Sequence, residues 1–152
     1  MPYRKRLAPL LISLLLPLAL AACGEPEDTG PGKPVAHRRD AFKAILDAFE
    51  PMGIRLRANQ YDADQFIAQA KQLNKVKEGP WAYFTPDSNY PPTHATAKVW
   101  SEAEKFQAGQ QKFLAAVSQL ATATETKDEA KVRAAYEALH DTCRSCHKEF
   151  KK

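Results

Sequence analysis

The sequence predicts an all-α chain, an antiparallel four-helix bundle. Three observations carry the prediction. Four stretches repeat apolar residues every three or four positions, no stretch alternates them, and one long proline-rich connection separates the second stretch from the third. At 152 residues the chain is long enough for one domain with a real core. Short links make sequential helices antiparallel neighbours, and such a bundle can hold a cofactor on facing helices. No internal repeat is evident.

The first 22 residues read as a bacterial export signal, not as part of the bundle. Arg4, Lys5 and Arg6 open it, and an apolar run from Leu7 to Ala22 follows, broken by Pro9 and Pro17. The run is too short and too interrupted for a comfortable membrane span. It ends Leu20-Ala21-Ala22-Cys23, which resembles a lipobox, where a bacterial lipoprotein is acylated on Cys and cut just before it. An ordinary cleavage site would leave Cys23 as a stray thiol; lipidation accounts for it. The consequence is a membrane anchor, since several acyl chains give lasting attachment. Residues 23–35 hold Gly24, Pro26, Gly30, Pro31, Gly32 and Pro34 with few apolar groups, which predicts a flexible tether. Glu25, Glu27 and Asp28 are expected there as a solvated spacer.

The bundle is expected over 36–152. Its first helix, at about 36–57, carries Phe42, Ile45, Phe49, Met52 and Leu56 as one stripe. Pro51 inside that pattern removes a backbone donor and predicts a kink, with Gly53 weakening the same turn. The second helix begins at Asp62, where Asp62 and Gln65 have the look of a capping box, and Phe66, Ala70, Leu73 and Val76 form its stripe. The connection at 77–98 contains four prolines and the aromatics Trp81, Tyr83, Phe84 and Tyr90. A connection of this length is usually functional or wraps something. Its aromatics can pack as a lid over the bundle end; for Trp81 and Phe84 contact with a bound group competes equally. The third helix is expected from Ser101 as N-cap, with Phe106, Phe113, Val117 and Leu120 on one face. The fourth starts near Lys127 or Asp128, and Val132, Tyr136, Leu139, Cys143, Cys146 and Phe150 share its inner face.

That last stripe contains Cys143-Arg144-Ser145-Cys146-His147, a C-x-x-C-H, the attachment signature of c-type haem. Two thiols add to the haem vinyl groups as thioethers, and the adjacent imidazole can reach the iron. On a helix the three side chains project from one face. A bare C-x-x-C also fits a thiol–disulfide pair or half a zinc site. The first lacks a βαβ context here, and the second lacks further ligands at zinc spacing. The three Cys are then all assigned, Cys143 and Cys146 to one covalent haem and Cys23 to lipid.

Charge excludes one large class. The chain has 22 Lys+Arg against 18 Asp+Glu, and without the three basic residues of the leader 19 remain against 18. No basic stripe interleaved with aromatics is left, so no nucleic-acid partner is expected. No carboxylate pair, nucleophile–base set or phosphate loop accompanies the haem motif, so an enzyme is not expected.

These residues resemble cytochrome c prime, the class II c-type cytochromes. The C-terminal position of C-x-x-C-H is diagnostic for that family. Further matches are Tyr61-Asp62-Ala63, Pro80-Trp81-Ala82-Tyr83-Phe84, Val99-Trp100-Ser101 with Phe106 and Phe113, and Arg38 followed four residues later by apolar Phe42. The resemblance implies a four-helix bundle with haem on its last helix. It implies covalent attachment at Cys143 and Cys146 and His147 as the axial iron ligand. It places Arg38, with Arg39 beside it, at the haem propionates; a solvated face explains two adjacent Arg equally well. Phe42 takes the position where gas-binding members carry an apolar residue that closes the distal side, and where electron-carrying relatives carry a ligating Met. Phe cannot coordinate. The only other Met after Met1 is Met52, ten residues along, about 15 Å at the helical rise, which reads as core. Arg39 stands where Gln is common, and Lys151 where some members place an Arg beside the proximal ligand. His37, His94 and His140 read as surface or loop residues.

The expectation is a lipid-anchored periplasmic haem protein whose five-coordinate iron takes a diatomic gas, nitric oxide first. Periplasmic redox proteins are expected as partners, and the resemblance also implies homodimers through the first two helices. A low-spin electron carrier is the alternative within the family, and a haem-free thiol-redox or structural lipoprotein the alternative outside it.

Overall fold

The computed structural model describes residues 25–152; the expected leader and Cys23, the expected lipidation site, lie outside the described residues. Helices α1 (Pro34–Arg57), α2 (Ala63–Val76), α4 (Ala103–Glu125) and α5 (Glu129–Phe150) make the bundle. Between α2 and α4 the crossover carries a 3-10 turn, Trp81–Tyr83, and a short helical turn, α3 (Lys98–Ser101). The all-α expectation holds: the described residues contain no strand, only an isolated bridge between Ala95 and Lys151.

Local chemistry sets most of the boundaries. Asp62 caps α2 by accepting from the Gln65 amide at 2.9 Å. Gln65 does not return a bond to the Asp62 backbone; its side chain reaches Asp62 Oδ2 at 3.5 Å, so only half of a capping box forms. Asp128 caps α5, accepting from Ala130 and Lys131 at 3.0 and 3.2 Å. Ser101 is not the cap expected of it. It ends α3, and Glu102 leads into α4 without a side-chain cap. The preceding turn supplies the entry, since the Glu102 amide already donates to Lys98 O at 2.8 Å.

The start of α1 also differs from expectation. Asp28, expected in a solvated spacer, is 1% exposed. Its Oδ2 accepts from the Val35 and Ala36 amides at 2.8 and 3.0 Å, and its Oδ1 from the Gly30 amide and the Tyr90 hydroxyl, both at 2.9 Å. A carboxylate at a helix start satisfies orphan amides and meets the positive end of the helix dipole. The chain at 28–35 is thus part of the folded unit. Pro34 opens α1, where a missing amide proton costs nothing.

The core lies where the stripes meet. Met52, Phe66, Leu73, Leu120 and Val132 are wholly buried, with Val117, Leu139 and Leu56 nearly so. Met52 is core, as its position predicted. Helix α1 packs on α2, α2 on α4, and α4 on α5. The remaining seam, between α5 and α1, is closed less by backbone proximity than by side chains. Phe49 stacks on Tyr136 at 4.4 Å between ring centroids, His140 stacks beside both, and Arg133 donates to Leu56 O at 3.0 Å. Gly53 belongs to this seam: a Cβ there would lie 2.0 Å from the Tyr136 hydroxyl. The glycine admits the tyrosine.

Candidate functional site

The last two turns of α5 carry the site. Val132, Tyr136, Leu139 and Phe150 bury the inner face and so fix the rotation of the helix. That rotation leaves Cys143 and Cys146 half-buried, both as free thiols, and Cys143 against the core. Burial raises the pKa of both; for Cys143 the Thr142 side chain pulls down and Cys146 pushes up. A redox-active C-x-x-C needs the opposite shift, toward thiolate. Two neutral thiols one turn apart suit thioether attachment. Among the described residues no group of three or more His, Cys, Asp or Glu is arranged to hold a metal ion, which leaves the zinc reading without ligands.

His147 is exposed on the same helix. Its ring is still crowded enough for desolvation to lower its pKa, and the Lys151 charge pushes the same way. The neutral imidazole is the ligating form. Lys151 itself closes the helix, its amide donating to His147 O at 3.1 Å.

An aromatic wall stands between α1, the crossover and α4. Phe42 meets Trp81 edge-on at 5.6 Å and Phe84 at 6.3 Å. Trp81 continues to Phe106 at 6.2 Å and Phe113 at 5.7 Å, Phe84 lies 4.8 Å from Phe106, and Phe106 meets Phe150 of α5 at 5.2 Å. Such offset and edge-on pairs are the favoured arrangements of aromatic rings. Trp81 and Phe84 therefore stand with Phe42 in the wall. Tyr83 instead stacks on exposed His37 at 4.8 Å.

Arg38 holds the crossover to α1. It is 4% exposed, which removes the solvated-face reading. Its guanidinium donates to Tyr83 O at 2.7 Å, Ser88 Oγ at 2.6 Å, Ser88 O at 3.0 Å and Thr93 Oγ1 at 3.1 Å. It lies 4.7 Å from the Phe84 ring centre and 5.9 Å from that of Trp100. Burial lowers its pKa, while Tyr90 and Asp28 push it back up. Arg39 does not join it. Half-exposed, Arg39 pairs with Glu25 at 2.7 Å and reaches Pro26 O.

The residues fit a covalently bound haem. Two unpaired thiols and the adjacent imidazole share one helix, and the α5–α1 seam beside them is bridged by side chains rather than close-packed backbone. Apolar rings line the neighbouring wall. Sequence reasoning missed four contributors: Asp28, Ser88 and Thr93, and the anchoring of Trp100, whose Nε1 donates to Thr85 O at 2.8 Å. Only Trp100 had a signal, through its place in Val99-Trp100-Ser101.

Comparison with known proteins points the same way. The family model described as Cytochrome C′ matches residues 33–151. A cytochrome c′ of Rhodospirillum rubrum is 29% identical over 143 residues, covering 93% of this chain and 96% of that protein. The crystal structure of cytochrome c′ from Rubrivivax gelatinosus superposes with a TM-score of 0.76 at 29% identity, over 83% of this chain and 100% of that one. A point mutant of cytochrome c prime from Alcaligenes xylosoxidans, solved as its nitric oxide complex, gives 0.75 at 30% identity, over 83% and 99%.

Proposed function

We propose a function from one premise: the chain belongs to the cytochrome c′ family, whose members carry a covalently bound c-type haem. In this chain Cys143 and Cys146 would hold that haem through thioethers, and His147 would supply the protein ligand to its iron. When bound, the haem would supply an iron able to bind a diatomic gas. The role is binding rather than catalysis, in the periplasm, with the protein anchored to a membrane through acylated Cys23. Periplasmic redox proteins are the partners for electron exchange.

The carrying observation is the state of the N–H donors around Phe42. Trp81 Nε1 donates to Lys77 O at 2.8 Å, and Arg38, one helical turn before Phe42, serves four acceptors. What these groups leave toward Phe42 is ring surface. A pocket of this kind excludes water and gives bound dioxygen no hydrogen bond, whereas nitric oxide binds ferrous iron without one. Phe42 adds a steric cost that weighs most against weaker ligands. The solved nitric oxide complex of the Alcaligenes point mutant supports the same ligand.

The test is the absorption and spin-resonance spectrum of the reduced holoprotein, with and without nitric oxide. Five-coordinate ferrous iron that shifts on adding the gas is expected. A six-coordinate, low-spin ferrous iron at neutral pH overturns the proposal in favour of an electron carrier.

A further inference from the structure

Antiparallel packing gathers the start of α1, the end of α2, the start of α4 and the end of α5 at one end of the bundle. Bonds to the crossover hold both the segment before α1 and the end of α5 there. Asp28 accepts from Tyr90, Thr93 holds Arg38, Thr96 N donates to Phe150 O at 2.9 Å, and Lys152 N donates to His94 O at 2.8 Å. On this end Lys98 and Lys105 reach Glu149 at 3.8 and 2.6 Å, and their side chains are about half exposed. Lys148 adds its field to the same carboxylate, and Lys151 adds its own to His147. Glu102, paired with Lys105 at 3.5 Å, and Asp141, paired with Arg144, are further acids there, against the cations Lys98, Lys105, Arg144, Lys148 and Lys151. Positive charge is therefore in excess around the exposed axial histidine. The nearby acids Glu25 and Glu27 are already paired, with Arg39 and Lys33.

We propose that this lysine cluster is a membrane-facing surface that takes anionic lipid headgroups. The occupant follows from chain length. Asp28 is locked into the fold, and five residues from Cys23 to Asp28 span at most about 18 Å. The opposite end of the bundle is farther away by the length of a helix, roughly 34 Å for 23 residues. A bilayer holding Cys23 meets the lysine end first. Exposed lysines within a Debye length of an anionic surface are drawn to it. The orientation rests on the acylation of Cys23; the headgroup affinity does not, and the two are tested apart.

The first arm uses the holoprotein with Cys23→Ser behind a non-lipoprotein export signal, sedimented at low salt with vesicles of phosphatidylglycerol or of phosphatidylcholine. Binding to the anionic vesicles alone is expected. The variant Lys105→Gln/Lys148→Gln/Lys151→Gln should bind roughly a hundredfold more weakly, about fivefold per lysine. Equal binding to both lipids overturns the proposal. So does lysine-dependent binding to poly-glutamate without binding to phosphatidylglycerol, which points to an acidic protein instead. The second arm weighs the unaltered mature protein and follows its flotation with vesicles. A product without acyl chains removes the orientation by Cys23 and leaves the first arm to decide the surface.

Discussion

Replacing Gly53 by Ala tests the α5–α1 seam quantitatively. The new methyl would sit 2.0 Å from the Tyr136 hydroxyl oxygen and 2.8 Å from Cζ, with Arg57 at 3.1 Å. Tyr136 cannot simply retreat, because its ring is buried and stacked 4.4 Å from Phe49. Overpacking of this kind costs about 3 kcal/mol at the upper end of its usual range. Removing a mid-helix glycine returns about 1 kcal/mol. The net expectation is a loss of about 2 kcal/mol, a drop of several degrees in the melting midpoint for a domain of this size. Tyr136→Phe alone should cost about 1 kcal/mol at most, since the hydroxyl gives up its interaction with the nearby Arg57 guanidinium. In the double variant the hydroxyl is gone but the 2.8 Å approach to Cζ remains, so part of the Gly53→Ala loss should return. Guanidinium unfolding of the four holoproteins, followed by circular dichroism, closes the cycle. Gly53→Ala of wild-type stability or better, or a double variant whose losses simply add, would refute the placement of Tyr136 over Gly53.

Three further outcomes are expected. Phe42→Ala should speed association of carbon monoxide and nitric oxide with the reduced protein, by about tenfold if the ring imposes about 1.4 kcal/mol of steric cost; unchanged flash-photolysis rates would place the barrier elsewhere. Arg38→Lys loses the planar fork and should cost about 2 kcal/mol while exposing the crossover to limited proteolysis near Ser88; a protease-resistant variant contradicts the role of Arg38 as its anchor. Burial pushes the Asp28 carboxyl up, but bonds from Ala36, Gly30, Tyr90 and Val35 outweigh it and leave its pKa below the usual value. A depressed folded-state pKa gives stability that is present above the unfolded value, about 3.9, and lost as pH falls through the folded one. The stability advantage of the wild type over Asp28→Asn should therefore shrink below about pH 4; a gap constant from pH 6 to acid would remove Asp28 from the acid limb.

The helices and the attachment motif were legible because their signals are local. A stripe at three and four residues, an Asp before an apolar run and C-x-x-C-H each read within a few positions. The crossover's anchorage was not legible. Arg38 finds its partners 45 to 55 residues away, and Asp28 finds Tyr90 at a separation of 62. Asp28 also lies among glycines and prolines, so composition alone marks it as spacer, and only the folded path brings it onto the first amides of α1. Ser101 shows the reverse failure. A good capping residue in a good position was overridden because the chain enters α4 already coiled. Arg39 stayed with the acidic residues before the helix, while its neighbour, turned by about 100° on the helix, went inside.

Residues 25–28, the C-terminus, the crossover and the thiols gather at one end, and among the described residues the other end carries no part of the site. The α1–α2 turn there is Ala58, Asn59 and Gln60, all exposed, with Asn59 in a left-handed conformation at φ 53°. A fluorescent reporter or an epitope spliced after Asn59 would project from the end of the bundle opposite Cys143, Cys146 and His147, and gives an engineer a handle a helix length from the attachment motif.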